Sequence, residues 1–332
     1  MLKTPFPYAG NKQRWVKEVW EYLGAEERGV YSEPFLGSAA MLLSAPVVHK
    51  KEIVCDTNGF VANFWRALRG DPEQVAYYAD WPKVHQDIHA RHIWLVKWGA
   101  AHAELIHNDC DFYDAKVAGY WAWGQSCWIR AGWCLGEGKE HVSDSRPTSN
   151  AYGVSPERKV SGAPPYASGK GEVLENPIAP DGKFDGERLQ PWFRALAARL
   201  AKVAVLNRSW ESAVTKGIVW GGTVPPRIFL DPPYRTDTGR KNSLYNSDFT
   251  KESTDIATHV YEWAVAHGEE YAIAYAMHAG DFETPPGWEL SEARSFWRKG
   301  VVYDPGTSDI IMYSPVAVAN KHGSETTQMR LL

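Results

Sequence analysis

The stretch Ile228-Phe229-Leu230-Asp231-Pro232-Pro233-Tyr234 constrains this chain more than any other. Three apolar residues suited to a buried strand run directly into an acid, two prolines and an aromatic ring, and a buried strand that ends so abruptly marks the edge of a binding site. The prolines fix φ near −65° and remove two backbone donors, which leaves the local carbonyls rigid and without competing amides. The Asp231 carboxylate and the Pro232 carbonyl can then accept from one planar NH2 group, while Tyr234 offers a face to a flat ring. Asp and Pro are also common turn residues, so a simple strand-ending turn is the alternative.

Composition narrows the rest. The 332 residues allow one large α/β domain with an inserted module, or two domains. With 44% hydrophobic and 23% charged residues the chain is of ordinary globular type. A formal net charge of −4 gives no global basic signature, so any nucleic-acid surface must be a local patch. The four cysteines form no C-x-x-C pair, and there is neither a signal peptide nor a long apolar span. That pattern suits the reduced cytoplasm. Cys127, Cys134 and His141 recur every seventh residue without a second close-spaced ligand pair, and no metal site is expected. Of the 16 tryptophans, Trp94, Trp98, Trp121, Trp123, Trp128 and Trp133 crowd the middle third, where core packing outweighs stacking on nucleobases.

Upstream of the D-P-P-Y stretch, three segments read as strand edges or entries to a site. The proline-stiffened opening Thr4 to Lys12 leads into a helix expected from Asn11, as cap, to about Leu23. Its Tyr8 can cover a ring or sulfonium, and its Lys12 can pair with a carboxylate. Val30 to Ala40, with Gly37 in its turn, reads as strand and tight turn leading into a short apolar helix, Met41 to Ala45, and such a turn lets backbone amides approach a ligand. Glu52 to Asp56 reads as a second strand ending in an acid, about 20 residues beyond the glycine turn, where nucleotide-binding α/β folds place a ribose-hydroxyl acceptor. Asp56 or Thr57 acting only as a helix cap is the competing reading.

Taken in order, the aromatic-A-G-x-K opening (Tyr8, Gly10, Lys12), the E-P-F-x-G turn (Glu33, Phe35, Gly37, Ser38), the D-x-N tripeptide at Asp56 and the D-P-P-Y motif resemble the Dam-like group (D12 class, alpha group) of adenine-specific DNA methyltransferases. Two positions depart from the family pattern. Ala39 stands where relatives usually carry a second glycine, and Gly124 stands where they tend to have asparagine.

The resemblance implies a Rossmann-like, seven-stranded α/β fold that binds S-adenosyl-L-methionine and carries an inserted, mainly helical target-recognition module. It places the catalytic domain at residues 1–69 and 187–318, the insertion with its long loop at 70–186, and a flexible tail at 319–332. Asp231, Pro232, Pro233 and Tyr234 become the catalytic residues. Tyr8, Gly10, Lys12, Glu33, Phe35, Gly37, Ser38, Asp56, Trp210 and Asp231 become the cofactor set, with Arg130 and Tyr245 as DNA contacts. The implied reaction is direct methyl transfer to the 6-amino group of an adenine flipped out of duplex DNA. Competing readings are the same chemistry on RNA adenine, cytosine or a protein glutamine, and a DNA-binding protein with a decayed methyltransferase fold. A cognate restriction endonuclease would be a partner, and the setting a bacterial cytoplasm, with nucleoid association or phage origin also open.

Overall fold

The structure, a computed structural model, describes residues 2–8, 10–25, 27–81, 85–127, 133–134, 142–143, 146–147, 188–219, 222–235, 250–295 and 308–329. The chain divides into two compact units. One comprises Met1–Asn11, Gly37–Leu43 and Asp56–Arg208, the other Lys12–Leu36, Ser44–Cys55 and Ser209–Leu332.

The second unit contains the strands expected from the apolar runs. β1 (Val30–Glu33), β2 (Lys51–Cys55), β6 (Arg227–Leu230), β7 (Ala272–His278), β8 (Glu289–Leu290), β9 (Arg294–Ser295) and β10 (Ser308–Tyr313) form seven strands of one sheet. Their order is β2-β1-β6-β7-β10-β8, with β9 pairing β10. β1 is parallel to both β2 and β6, and β6 to β7, whereas β10 runs antiparallel to β7. The sheet is thus mixed, with three parallel pairings on one side and three antiparallel pairings around β10 on the other, in the α/β architecture expected of the sequence. Chain order reverses between β1 and β6, and in open α/β sheets ligands bind beyond the carboxyl ends of strands at that reversal.

The sequence of β7 explains how both faces are covered. Small and large residues alternate in Ala272-Ile273-Ala274-Tyr275-Ala276-Met277, all of them buried. Ile273, Tyr275 and Met277 share a core with Ile228, Leu230, Ile310 and Met312 of the flanking strands. On that side lie Val260 and Ala264 of α10 (Thr250–His267), Val214 of α8 (Glu211–Val214) and Val219 of α9 (Lys216–Val219). The alanine face admits α1 (Val16–Leu23) and α11 (Pro315–Met329) at close range, and Tyr22 of α1 stacks on Tyr313 at 3.6 Å. Gly24, with φ of 76°, ends α1 and returns its N–H to the Trp20 carbonyl.

The first unit holds α2 (Ala40–Leu43), α3 (Gly59–Gly70), α4 (Pro72–Ala79), α5 (His85–Asn108), α6 (Ala115–Cys127), the short strands β3 (Val142–Ser143) and β4 (Arg146–Pro147), α7 (Gln190–Leu200) and β5 (Val203–Leu206). Its core is aromatic. Phe6 lies 4.8 Å from Trp121 and 5.0 Å from Phe64, and Phe64 meets Phe193 of α7 edge-on. Trp98, Trp121, Trp123 and Trp133 are buried as expected, Trp94 is exposed, and Trp128 lies outside the described residues.

Three boundaries differ from expectation. Asn11 does not cap a helix: a 3-10 turn (Gln13–Trp15) precedes α1, and the Asn11 amide instead donates to Ser38 Oγ at 2.9 Å. The division between units does not follow the 69/70 and 186/187 borders, because α3 and α7 pack with the helical segment through Phe64, Trp121 and Phe193. Residues 319–329, expected to fray, continue α11, whose Asn320 amide donates to the Leu23 carbonyl at 3.2 Å. No described helix is long and apolar enough to cross a membrane.

Candidate functional site

β6 buries all four of its residues and delivers Asp231 at its carboxyl end, beside the end of β1 at Glu33. Pro232 is buried and Pro233 half-buried. The ammonium of Lys12, only 3% exposed, lies 3.0 Å from Asp231 Oδ1 and 4.0 Å from Asp309 Oδ2. Asp309, at the start of β10, also meets Arg14 Nη2 at 3.1 Å and His278 Nδ1 at 3.4 Å. Tyr234 is 8% exposed, with its ring centre 4.4 Å from that of His278 and the Lys12 ammonium 5.0 Å away. Glu33 is buried and accepts from the Tyr31 hydroxyl, and Phe35 packs on the unit's core.

The two acids respond oppositely to burial. Desolvation raises the Asp231 pKa above the ordinary value, against the opposing charge and hydrogen bond of Lys12. Desolvation also acts on Asp309, yet His278, Lys12 and Arg14 together outweigh it and hold that carboxyl below its usual range.

A second cluster sits in the other unit. Gly37 has φ of +47°, and a Cβ there would stand 2.8 Å from the Tyr8 ring, so only glycine lets Tyr8 cover the turn. The Gly37 N–H donates to Asp56 Oδ2 at 3.0 Å, the Asn58 N–H to Oδ1 at 2.8 Å, and Trp65 Nε1 to the Gly37 carbonyl at 2.9 Å. Asn207 donates to the carbonyls of Asp56 and Thr57. Burial pushes the Asp56 pKa up from 3.8 to about 6 although both amides favour the ionised form. The helix cap at α3 is Asn58, not Asp56 or Thr57. Gly10 has φ of 81°, and Ser38 is buried.

Ala39 takes φ of +57° and is fully buried, so the turn keeps a left-handed residue at the place where relatives carry glycine. Gly124 is accounted for by packing. Any Cβ there would collide with the indole of Trp133, whose Nε1 donates to the Trp121 carbonyl at 3.0 Å.

The structure assembles Lys12 with Asp231 and Tyr234, and separately Tyr8 with Gly37 and Asp56. Trp210 lies in the core of its unit, edge-on to Trp263 at 6.0 Å. Arg130 and Tyr245 lie outside the described residues. Arg14, His278 and Asp309 were not singled out in the sequence. An acid opening the buried strand Asp309-Ile310-Ile311-Met312-Tyr313 was the available signal, since a charge there needs partners. Among the described residues no three His, Cys, Asp or Glu side chains gather as metal ligands, and His141 is not one of those residues. Hollows of about 340 and 390 Å³ lie at the opposite end of the sheet, where Pro226 and Tyr271 precede β6 and β7.

The model of the family described as D12 class N6 adenine-specific DNA methyltransferase matches residues 8–89. Over that span, the chain is similar to this family. The matched segment takes in Tyr8, Lys12, Gly37 and Asp56 and ends before Asp231. A comparison with curated proteins gives no match. Members of that family are adenine-specific DNA methyltransferases, enzymes that act on DNA with a methyl donor.

Proposed function

We propose that this protein is an adenine-specific DNA methyltransferase that uses S-adenosylmethionine as its donor and grips the adenine 6-amino group at Asp231 and Pro232. The supporting observation is the rigid acceptor corner at the end of β6, at the reversal in strand order, with its carboxylate held by a buried lysine. A donor with ribose hydroxyls suits the second cluster. Each Asp56 oxygen accepts one backbone amide and keeps a lone pair for a hydroxyl, while Tyr8 and Gly37 shape the adjoining turn. When bound, S-adenosylmethionine supplies an electrophilic methyl carbon on a positively charged sulfur.

The chain's own residues do the positioning. A paired adenine hides its amine, so the base must leave the duplex at a cost of a few kcal/mol, offset by stacking and hydrogen bonds in the pocket. Asp231 accepts one amine hydrogen and the Pro232 carbonyl the other, which draws the nitrogen toward sp³ character and frees its lone pair. On gaining the methyl group in exchange for a proton, the nitrogen would release that proton, and a carboxylate with a raised pKa would be placed to receive it. Stacking on Tyr234 requires ring surface now shared with Lys12 and His278 to open to the base. Residues 70–186 are proposed as the segment that carries target recognition.

Tritiated methyl transfer to duplex DNA, compared with RNA and protein acceptors, tests this reading, and digestion to nucleosides identifies the modified base. Label on N6-methyladenine supports it. Label on cytosine, RNA or protein contradicts it.

A further inference from the structure

Sheet topology brings an acid of β10 to the edge where Asp231 stands. β10 runs antiparallel to β7, and β7 runs parallel to β6, so β10 begins at the edge where those two strands end. Asp309 sits directly opposite His278 in that register, and residues opposite each other project to the same face of a sheet. Its carboxylate meets basic groups from three places in the chain, His278 Nδ1 at 3.4 Å, Arg14 Nη2 at 3.1 Å and Lys12 Nζ at 4.0 Å. Two of these also lie against Tyr234, the Lys12 ammonium 5.0 Å and the His278 ring 4.4 Å from its ring centre.

Folding alone does not call for an acid at this place. Asp309 is buried at the head of the apolar run Ile310-Ile311-Met312-Tyr313. A buried ion cluster seldom returns more than its desolvation takes, so an apolar residue would serve the strand at least as well. What the carboxylate adds is geometry. Arg14 and His278 fix it from two sides, and the fixed charge draws on Lys12, whose nearer partner is Asp231 at 3.0 Å. Other charges around it are engaged: Arg294 of β9, opposite Asp309, pairs with Glu18, and Asp281 accepts from the His278 N–H at 3.1 Å. Burial raises the Asp231 pKa, Lys12 lowers it and the charge of Asp309 raises it again. Sharing one ammonium therefore leaves Asp231 a better proton acceptor than sole possession of it would.

We infer that Asp309 is a positioning residue for methyl transfer: it holds Lys12 where that ammonium meets Asp231, and it holds His278 edge-on to Tyr234. One carboxylate on a neighbouring strand thereby sets both the amine acceptor and the stacking ring. The inference deepens the reading of Asp231 given above and rests on it.

NMR titration of the carboxyls in protein labelled with carbon-13 aspartate, with Asp231→Asn for assignment, tests it. Asp309→Asn keeps the side chain's size and leaves Lys12 to Asp231 alone, so the Asp231 carboxyl should titrate about one pH unit lower than in wild type. Arg14→Met keeps the Asp309 charge but removes a partner, so Lys12 is drawn from Asp231 and that carboxyl should titrate higher. In a Lys12→Met background both displacements should shrink to roughly half or less, because the coupling runs through the ammonium. In turnover, Asp309→Asn should lower kcat about tenfold with KM for DNA unchanged, and Asp309→Glu should recover most of the loss. Arg14 is 30% exposed, so Arg14→Met carries the test even where Asp309→Asn weakens folding. Displacements of the same sign in the two variants, none at all, or full-sized ones without Lys12 would overturn the inference. If wild type methylates adenine in DNA while the Asp231 titration stays put, the assignment of Asp309 fails and the function stands. If the titrations move as expected but wild type labels another acceptor or none, the function fails and the role of Asp309 toward Lys12 and Asp231 remains.

Discussion

Lys12 Nζ stands 3.0 Å from Asp231 Oδ1 and 4.0 Å from Asp309 Oδ2, so a single buried ammonium serves the carboxylates at the ends of two different strands. Asp309 has Arg14 and His278 besides, whereas among the described residues Asp231 forms its one ion pair with Lys12. The charge state of Asp231 therefore depends on Lys12 more than that of Asp309 does.

Replacing Lys12 with methionine keeps the side chain's length and removes its charge. Desolvation already raises the Asp231 pKa, and loss of the cation raises it further. The acid limb of the methylation rate should move to higher pH. Each unit of displacement costs roughly tenfold in ionised carboxylate below the new pKa. Single-turnover rates across pH check this, and an unmoved limb would remove Lys12 from the control of Asp231.

Asp56 makes a separate prediction for donor binding. Its folded pKa of about 6 exceeds the ordinary 3.8, so its contribution to stability is fully present below pH 3.8 and is lost as pH rises to about 6. The cost carried above that range is on the order of 3 kcal/mol. Ribose hydroxyls donating to the ionised carboxylate would offset part of it. S-adenosylmethionine affinity, measured by calorimetry, should therefore fall about tenfold per unit below pH 6. Asp56→Asn should bind weakly at every pH with no such slope.

Ala39 holds φ of +57°, where an L side chain costs roughly 1–2 kcal/mol and glycine is unstrained. Ala39→Gly should raise stability by about 1 kcal/mol after the entropy of the freer unfolded chain is subtracted. Urea melts should show a higher midpoint. A lower midpoint would mean that burial of the alanine methyl outweighs the backbone strain.

Gly124 gives the reverse case. Restoring the family's asparagine would push a side chain into the Trp133 indole and displace a ring packed on α6, at a cost of about 3 kcal/mol. Gly124→Asn should lower the thermal midpoint and change the tryptophan fluorescence. Unchanged stability would show that Trp133 packs elsewhere in solution.

Strands were legible in the sequence wherever an apolar run was continuous. Val30 to Glu33, Ile53 to Cys55, Ile228 to Leu230 and Asp309 to Tyr313 all lie within observed strands, because strands covered on both faces, parallel or antiparallel, are apolar along most of their length. β8 and β9 were not foreseen, since two-residue pairings leave no periodicity. At the candidate site, Asp231 and Asp56 stood out as acids closing apolar runs. Arg14, His278 and Asp309 did not, because their association depends on strand order and the positions lie up to 295 residues apart. Trp210 shows the converse limit: a tryptophan beside a motif reads alike whether it lines a ligand or fills a core, and here it packs on Trp263. Ala39 departs from the family in residue type and keeps the left-handed backbone, a distinction that the letters alone do not carry.

The central claim is that Asp231 holds the amine that receives the methyl group. Transfer of tritiated methyl from S-adenosylmethionine to duplex DNA by Asp231→Ala, measured beside the variant's donor affinity, tests it most directly. The account predicts loss of transfer by about 10²-fold or more with donor binding largely retained. Turnover close to wild type in that variant would contradict it.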